Sequence, residues 1–177
     1  MSKYLILLLF IIIFLALALG FFSGLTILNA VVNLIVLILI SSFLLGIKKE
    51  GLLISLSLAV FYDLYLYSFF GLSVIAVLLI YFILSFLESK ISHQPGFFLV
   101  SVSVFFASIV FDLIVLSGLT YINGLNFSYI LLYNILPSAL LNLVLAFPFY
   151  IIALKLVSLL KLYKIIGEKE KKILVGF

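Results

Sequence analysis

The sequence contains no cysteine, no tryptophan and no arginine, and only 9% of its 177 residues are charged. Without cysteine the chain can form neither a disulfide framework nor a thiolate metal site. Soluble domains carry roughly 25% charged residues, so this composition excludes a water-soluble fold. The single histidine, His93, has too few potential ligands around it for a metal site of ordinary ligand number.

Hydrophobic residues make up 68% of the chain, and the mean hydropathy is +1.56. A membrane-spanning helix needs roughly 20 apolar residues to cross a hydrocarbon core ~30 Å thick. The apolar runs between breakers therefore predict an all-α membrane bundle of six transmembrane helices in one domain, residues 1–160. The predicted helices are 4–22, 25–45, 51–67, 72–87, 97–117 and 129–160.

The positions of the lysines predict the orientation of this bundle. Loops rich in Lys and Arg stay in the cytoplasm, and the lysines fall in alternate loops and at both ends of the chain. Both termini are therefore expected to be cytoplasmic, and residues 161–177 form a basic cytoplasmic tail. We interpret the lysines as topology signals at a lipid bilayer, with no surface for nucleic acid.

Two acidic residues, Asp63 and Asp112, fall inside predicted spans. An ionisable group at membrane depth costs at least ~2.5 kcal/mol, so each is a candidate functional residue. The two sequences around them resemble each other, which suggests an internal repeat of helix pairs. In each copy a glycine, Gly71 or Gly118, follows the aspartate and predicts a break between helices.

Small residues precede Asp63 at intervals of four, at Gly51, Ser55 and Ala59. This spacing puts them in one row on a helix and predicts close packing against a neighbouring helix. Asp63 lies in the same row and should face the bundle. The fifth predicted span places Ser101, Ser108 and Asp112 on one side in a similar way.

Amide and hydroxyl side chains on two other predicted spans are natural hydrogen-bond partners for the aspartates. They are Asn29 and Asn33 on the second span and Asn134, Ser138 and Asn142 on the sixth. Pro137 and Pro148 predict kinks or a hydrated stretch in the sixth span. Three roles remain open for this polar set: structural hydrogen bonding, partner docking or gating, and ion or proton transport.

An aromatic group near the outer boundary is either an interfacial belt or a docking surface for a partner. Its members are Tyr62, Tyr65, Tyr67, Phe69 and Phe70. The serines have no histidine or lysine base at membrane depth, and no phosphate-binding loop is present. We therefore expect neither enzyme activity nor a cofactor.

Two segments resemble motifs of the MreD family of rod-shape-determining membrane proteins. Gly51 to Gly71 resembles the family's G-x-x-x-G-x-x-x-D-L…P-L-G segment, and residues 135–142, followed by Pro148, are similar to its L-P-T-A-x-x-N stretch. With length and span count, the resemblance covers essentially the whole chain. Phe69-Phe70 departs from the usual Pro-Leu, and Asn29 and Asn33 replace a frequent Pro-Asp pair.

The resemblance implies a non-catalytic scaffold of the cell-elongation machinery in the bacterial inner membrane. Its implied partner is an MreC-like bitopic protein, with MreB, RodA and a class B penicillin-binding protein as further associates in peptidoglycan synthesis. The family's helical arrangement is thought similar to the substrate-binding subunits of energy-coupling-factor transporters. The alternative function is therefore a substrate-binding membrane subunit or small transporter.

Overall fold

The computed structural model describes residues 30–66, 71–87, 97–123 and 127–174. The predicted first span, 4–22, lies outside these residues, as do Asn29 and His93. Every regular element within the described ranges is helical, which confirms the all-helical class.

The helices are α1 (Leu34–Leu44), α2 (Lys48–Leu66), α3 (Leu72–Leu87), α4 (Phe97–Asn123), α5 (Phe127–Ile130) and α6 (Leu136–Leu174). A π-helical turn, Leu131–Ile135, joins α5 to α6 without a break. Two segments are long and apolar enough to cross a membrane, Phe97–Gly118 and Ser128–Ser158. Helices α1 and α3 are apolar but shorter, and the six-span count stays a prediction.

Helix α1 lies at the centre of the bundle and contacts α2, α3, α4 and α6. Every residue from Leu34 to Phe43 is buried, as expected of a helix that is apolar all round. Gly46 ends it in the left-handed region, with φ of 77°. The amides of Gly46 and Ile47 donate to the carbonyls of Phe43 and Ser42, a Schellman arrangement that turns the chain sharply into α2.

The row of small residues on α2 packs against α1. Gly51, Ser55, Ala59 and Asp63 are all buried, on the face that their spacing predicts. A side chain at position 51 would collide with Cβ and Oγ of Ser42, so only glycine fits this approach of α1 and α2. Ser55 strengthens the contact by donating from Oγ to the Ile35 carbonyl, at 3.4 Å.

Two predicted boundaries are wrong. The second span was expected to be helical over 25–45, but residues 31–33 are not helical and α1 begins at Leu34. The break expected at Gly118 is absent, because α4 continues to Asn123. A Cβ at Gly118 would meet the side chain of Leu72, so this glycine allows α4 to pass close to the start of α3.

We expect Gly51→Ala to destabilise the bundle by about 1 to 3 kcal/mol, because the new methyl group overlaps Ser42. The measurement is unfolding in mixed detergent micelles, monitored by circular dichroism. Gly118→Ala is the matched control and should cost less, since only the flexible end of Leu72 has to move. Ser42→Gly added to Gly51→Ala should recover part of the loss; equal losses for the two glycines would contradict the packing argument.

Candidate functional site

Asp63 is fully buried near the carboxyl end of α2, where it binds the beginning of α3. Its Oδ2 accepts the Gly71 amide at 2.9 Å, and its Oδ1 accepts the Ser73 amide at 3.1 Å. The first amides of a helix have no partner within the helix, and the helix dipole favours a negative group there. Asp63 therefore caps α3 from the preceding helix and needs no cation beside it to be satisfied.

Gly71 takes part in this cap through its backbone conformation. Its φ of 111° lies in the left-handed region, where side chains are rarely tolerated. The sequence predicted a break at this glycine, and α3 begins at the next residue. The turn thus supplies an amide to the carboxylate while it starts the helix.

Asp112 is partly buried on α4 and lies beside the beginning of α1. The side chain of Asn33, the N-cap residue of α1, is its neighbour there. Oδ1 of Asn33 accepts the Val36 amide at 3.2 Å, which fixes this side chain at the start of α1. Both aspartates therefore lie next to the amino-terminal end of a helix.

Two side chains of α6 hold the non-helical residues that precede α1. Oγ of Ser138 accepts the Val31 amide at 3.0 Å, and Oδ1 of Asn142 accepts the Asn33 amide at 2.8 Å. Both acceptors are buried. A buried amide without a partner is costly, so these two side chains allow the chain to leave the helical conformation at this depth. We call Ser138 and Asn142 the α6 clamp.

Asn134 does not join the clamp, although its spacing from Ser138 equals the spacing of Ser138 from Asn142. It is partly exposed and lies in the π-helical turn, Leu131–Ile135. A π-turn contains about one residue more than an α-turn, so side chains on its two sides no longer share a face. Pro137, which has no amide hydrogen to donate, follows this turn directly and is partly buried.

Pro148 lies inside α6, which is assigned as one helix through it, and its side chain is exposed. The kink expected there stays a prediction.

Within the described residues, the aromatic group is represented by the side chain of Tyr62. Tyr62 is partly buried and packs against the core, whereas the neighbouring Phe61 and Leu64 are 47% and 63% exposed. The side chains of Tyr65, Tyr67, Phe69 and Phe70 lie outside the described residues.

Sequence reasoning missed the role of Asn33, which was placed inside a span. An asparagine directly before an apolar run is a typical helix start, and this signal could have identified the N-cap.

Some buried polar atoms have no hydrogen-bond partner in the described part of the chain. They include Nδ2 of Asn142 and Oγ of Ser101 and Ser108. Buried groups of this kind commonly bind ordered water. Among the described residues, no three His, Cys, Asp or Glu side chains are grouped so that they could hold a metal ion.

A comparison with models of known protein families finds no match, and comparisons with curated proteins and with solved structures find none either.

We expect Asp63→Ala to lower the free energy of unfolding by roughly 3 kcal/mol, because the amides of Gly71 and Ser73 at the start of α3 lose their acceptor. Amide exchange at Gly71 and Ser73 should accelerate in the same variant, measured by hydrogen–deuterium exchange with mass spectrometry. Ser57→Ala is the control on α2, since its hydroxyl bonds only to the Leu53 carbonyl of its own helix. Unchanged exchange at the start of α3 would contradict the capping role.

Proposed function

We propose that this chain is a multi-pass protein of the bacterial inner membrane and a non-catalytic scaffold of the cell-elongation machinery, of the MreD type. Its partner is an MreC-like bitopic protein, and together they organise peptidoglycan synthesis with MreB filaments, RodA and a class B penicillin-binding protein. The proposal rests on the two motifs that resemble MreD and on what their polar residues do in the bundle.

The observation that carries the proposal is that these polar residues bind backbone amides of the protein itself. Asp63, from the first motif, caps α3. Ser138 and Asn142, from the second motif, hold residues 31–33. Groups engaged in this way position helices and are not free to act on a substrate, which favours a structural role for both motifs.

The exposed surface also supports a scaffold that binds helices. Only 17% of an apolar 18-residue stretch within Ser128–Ser158 is buried in the protein, so lipid or a partner helix covers the remainder. On α2 the exposed row contains Leu53, Phe61 and Leu64, with the small Ser57 between them. A small residue in an apolar row lets another helix approach closely. We assign the transmembrane helix of the bitopic partner to this α2 row.

The test is co-purification of the tagged chain with an MreC-like protein from membranes dissolved in mild detergent. Phe61→Ala with Leu64→Ala should reduce recovery of the partner about tenfold, the effect of losing roughly 1.4 kcal/mol of binding free energy. The same variant should round a rod-shaped cell that depends on this chain. Its stability should change little, because both side chains are exposed.

Phe82→Ala with Phe86→Ala on α3 is the matched control, since these side chains are 73% and 78% exposed. It removes more exposed apolar surface, from another face, and should leave recovery of the partner unchanged. Equal recovery with both double variants would exclude the α2 row as the docking surface. Failure to recover any bitopic protein would contradict the scaffold function itself.

The second candidate function, a substrate-binding subunit of the energy-coupling-factor type, is favoured by the unpartnered Nδ2 of Asn142 and Oγ of Ser108 in the described structure. A ligand that binds only the folded state stabilises it by about 2.7 kcal/mol at one hundred times its Kd. Thermal unfolding in detergent across a panel of vitamins and metabolites therefore separates the two functions. A shift with one compound would favour the transporter subunit.

A further inference from the structure

The sequence before α1 signals a helix start only at Asn33. Ala30, Val31 and Val32 include neither glycine nor proline, so each of them could continue α1 toward the amino terminus. Two residues of this segment, Val31 and Asn33, are held by contact with α6, through Ser138 and Asn142. The conformation directly before α1 therefore depends on side chains more than a hundred residues away in the sequence.

The spacing of the two acceptors on α6 matches the spacing of the two amides that they bind. The bound amides, of Val31 and Asn33, are two residues apart, and their acceptors are four residues apart on α6. Two residues of extended chain span about 6.6 Å, and four residues of helix rise about 6 Å. Residues 31–33 and 138–142 thus run in the same direction with matched spacing. If residues 31–33 became helical, one or both of these hydrogen bonds would be lost.

We propose that residues 30–33 form a two-position element whose state is set by the α6 clamp. In the clamped state, Ser138 and Asn142 hold the segment out of the helix and Asn33 caps α1. In the released state, residues 30–33 become helical and extend α1, and their amides donate to backbone carbonyls. Winding moves Val31 along the helix axis by up to about 5 Å, the difference between three extended and three helical residues.

The region of α6 that carries the clamp has an irregular backbone beside it. The π-helical turn ends at Ile135, and Pro137, without an amide hydrogen, precedes Ser138 directly. A π-bulge that moves along a helix rotates the residues it passes by about 100°, the turn of one extra residue. Such a shift would turn Ser138 and Asn142 away from α1. Their hydrogen bonds to the amides of Val31 and Asn33 would then break, and residues 30–33 would be free to become helical.

Release would lengthen α1 at its amino-terminal end, and α1 is the helix that contacts α2, α3, α4 and α6. It would also remove Asn33 from the N-cap position, where it lies beside Asp112. The element thus connects the backbone of α6 to the surroundings of Asp112 on α4. This connection does not depend on which partner or ligand the protein binds.

The test measures a distance between spin labels in the full-length protein, which has no cysteine of its own. Labels are attached at Val31→Cys and Ile152→Cys, two positions that are 39% and 56% exposed. Since α6 runs in the same direction as the clamped segment, winding brings Val31 closer to Ile152. In Ser138→Ala with Asn142→Leu, double electron–electron resonance should show a main distance shorter by up to about 5 Å.

The control is Leu140→Ala with Val144→Ala, which truncates exposed side chains on the same turns of α6 and should keep the parent distance. A second label pair, Leu53→Cys with Ile152→Cys, reports on the bundle and should not change in any variant. An unchanged Val31 distance in the clamp variant would overturn the proposal, as would a broadened distribution without a shorter peak. A simultaneous change in the second pair would overturn it too, because the bundle itself would then have loosened.

Discussion

Backbone amides that no helix satisfies are the constraint on which this bundle depends. Water cannot serve them in an apolar interior, so a side-chain acceptor has to reach each one. Asp63 serves the first turn of α3, and the α6 clamp, Ser138 and Asn142, serves the chain before α1. Each acceptor comes from a different helix than the amide that it binds. The hydrogen bonds that complete the helices therefore also fix how the helices are placed relative to one another.

The short central helix α1 illustrates this dependence. It is too short to be stable by itself, and its apolar surface gives it no preferred side to bury. Its position is defined at its ends, by the Asn33 cap and the α6 clamp at one end and by the Gly46 turn at the other. Gly51 then lets α2 approach it more closely than any other residue would permit. The hydrogen bonds and the turn at the two ends of α1 thus fix its position, which its uniformly apolar surface cannot do.

The sequence predicted those parts of the fold that local spacing controls. Helix α3 has the predicted bounds of 72–87, since Gly71 marks its start, and the row from Gly51 to Asp63 faces inward as a four-residue interval requires. Asn33 could have been recognised as the N-cap of α1, but the non-helical conformation of Val31 was not predictable in this way, because its amide binds a side chain more than a hundred residues away. Gly118 misled the prediction since a glycine needed for close packing looks the same in sequence as one needed for a turn. Asn134 misled it because a π-helical turn shifts the helical repeat without any distinct residue pattern.

The two aspartates are equivalent in sequence context but not in structure, and this difference separates their roles. Both oxygens of Asp63 accept backbone amides, and the residue is fully buried, so a change at Asp63 would disturb α3 before it affected any ligand. Asp112 is partly exposed, and the side chain beside it is that of Asn33. A change at Asp112 removes no acceptor from a helix amide in the described hydrogen bonds, so it costs the bundle less than a change at Asp63. If one aspartate responds to a partner or ligand, the geometry therefore favours Asp112, with Asp63 as the fixed support of the bundle.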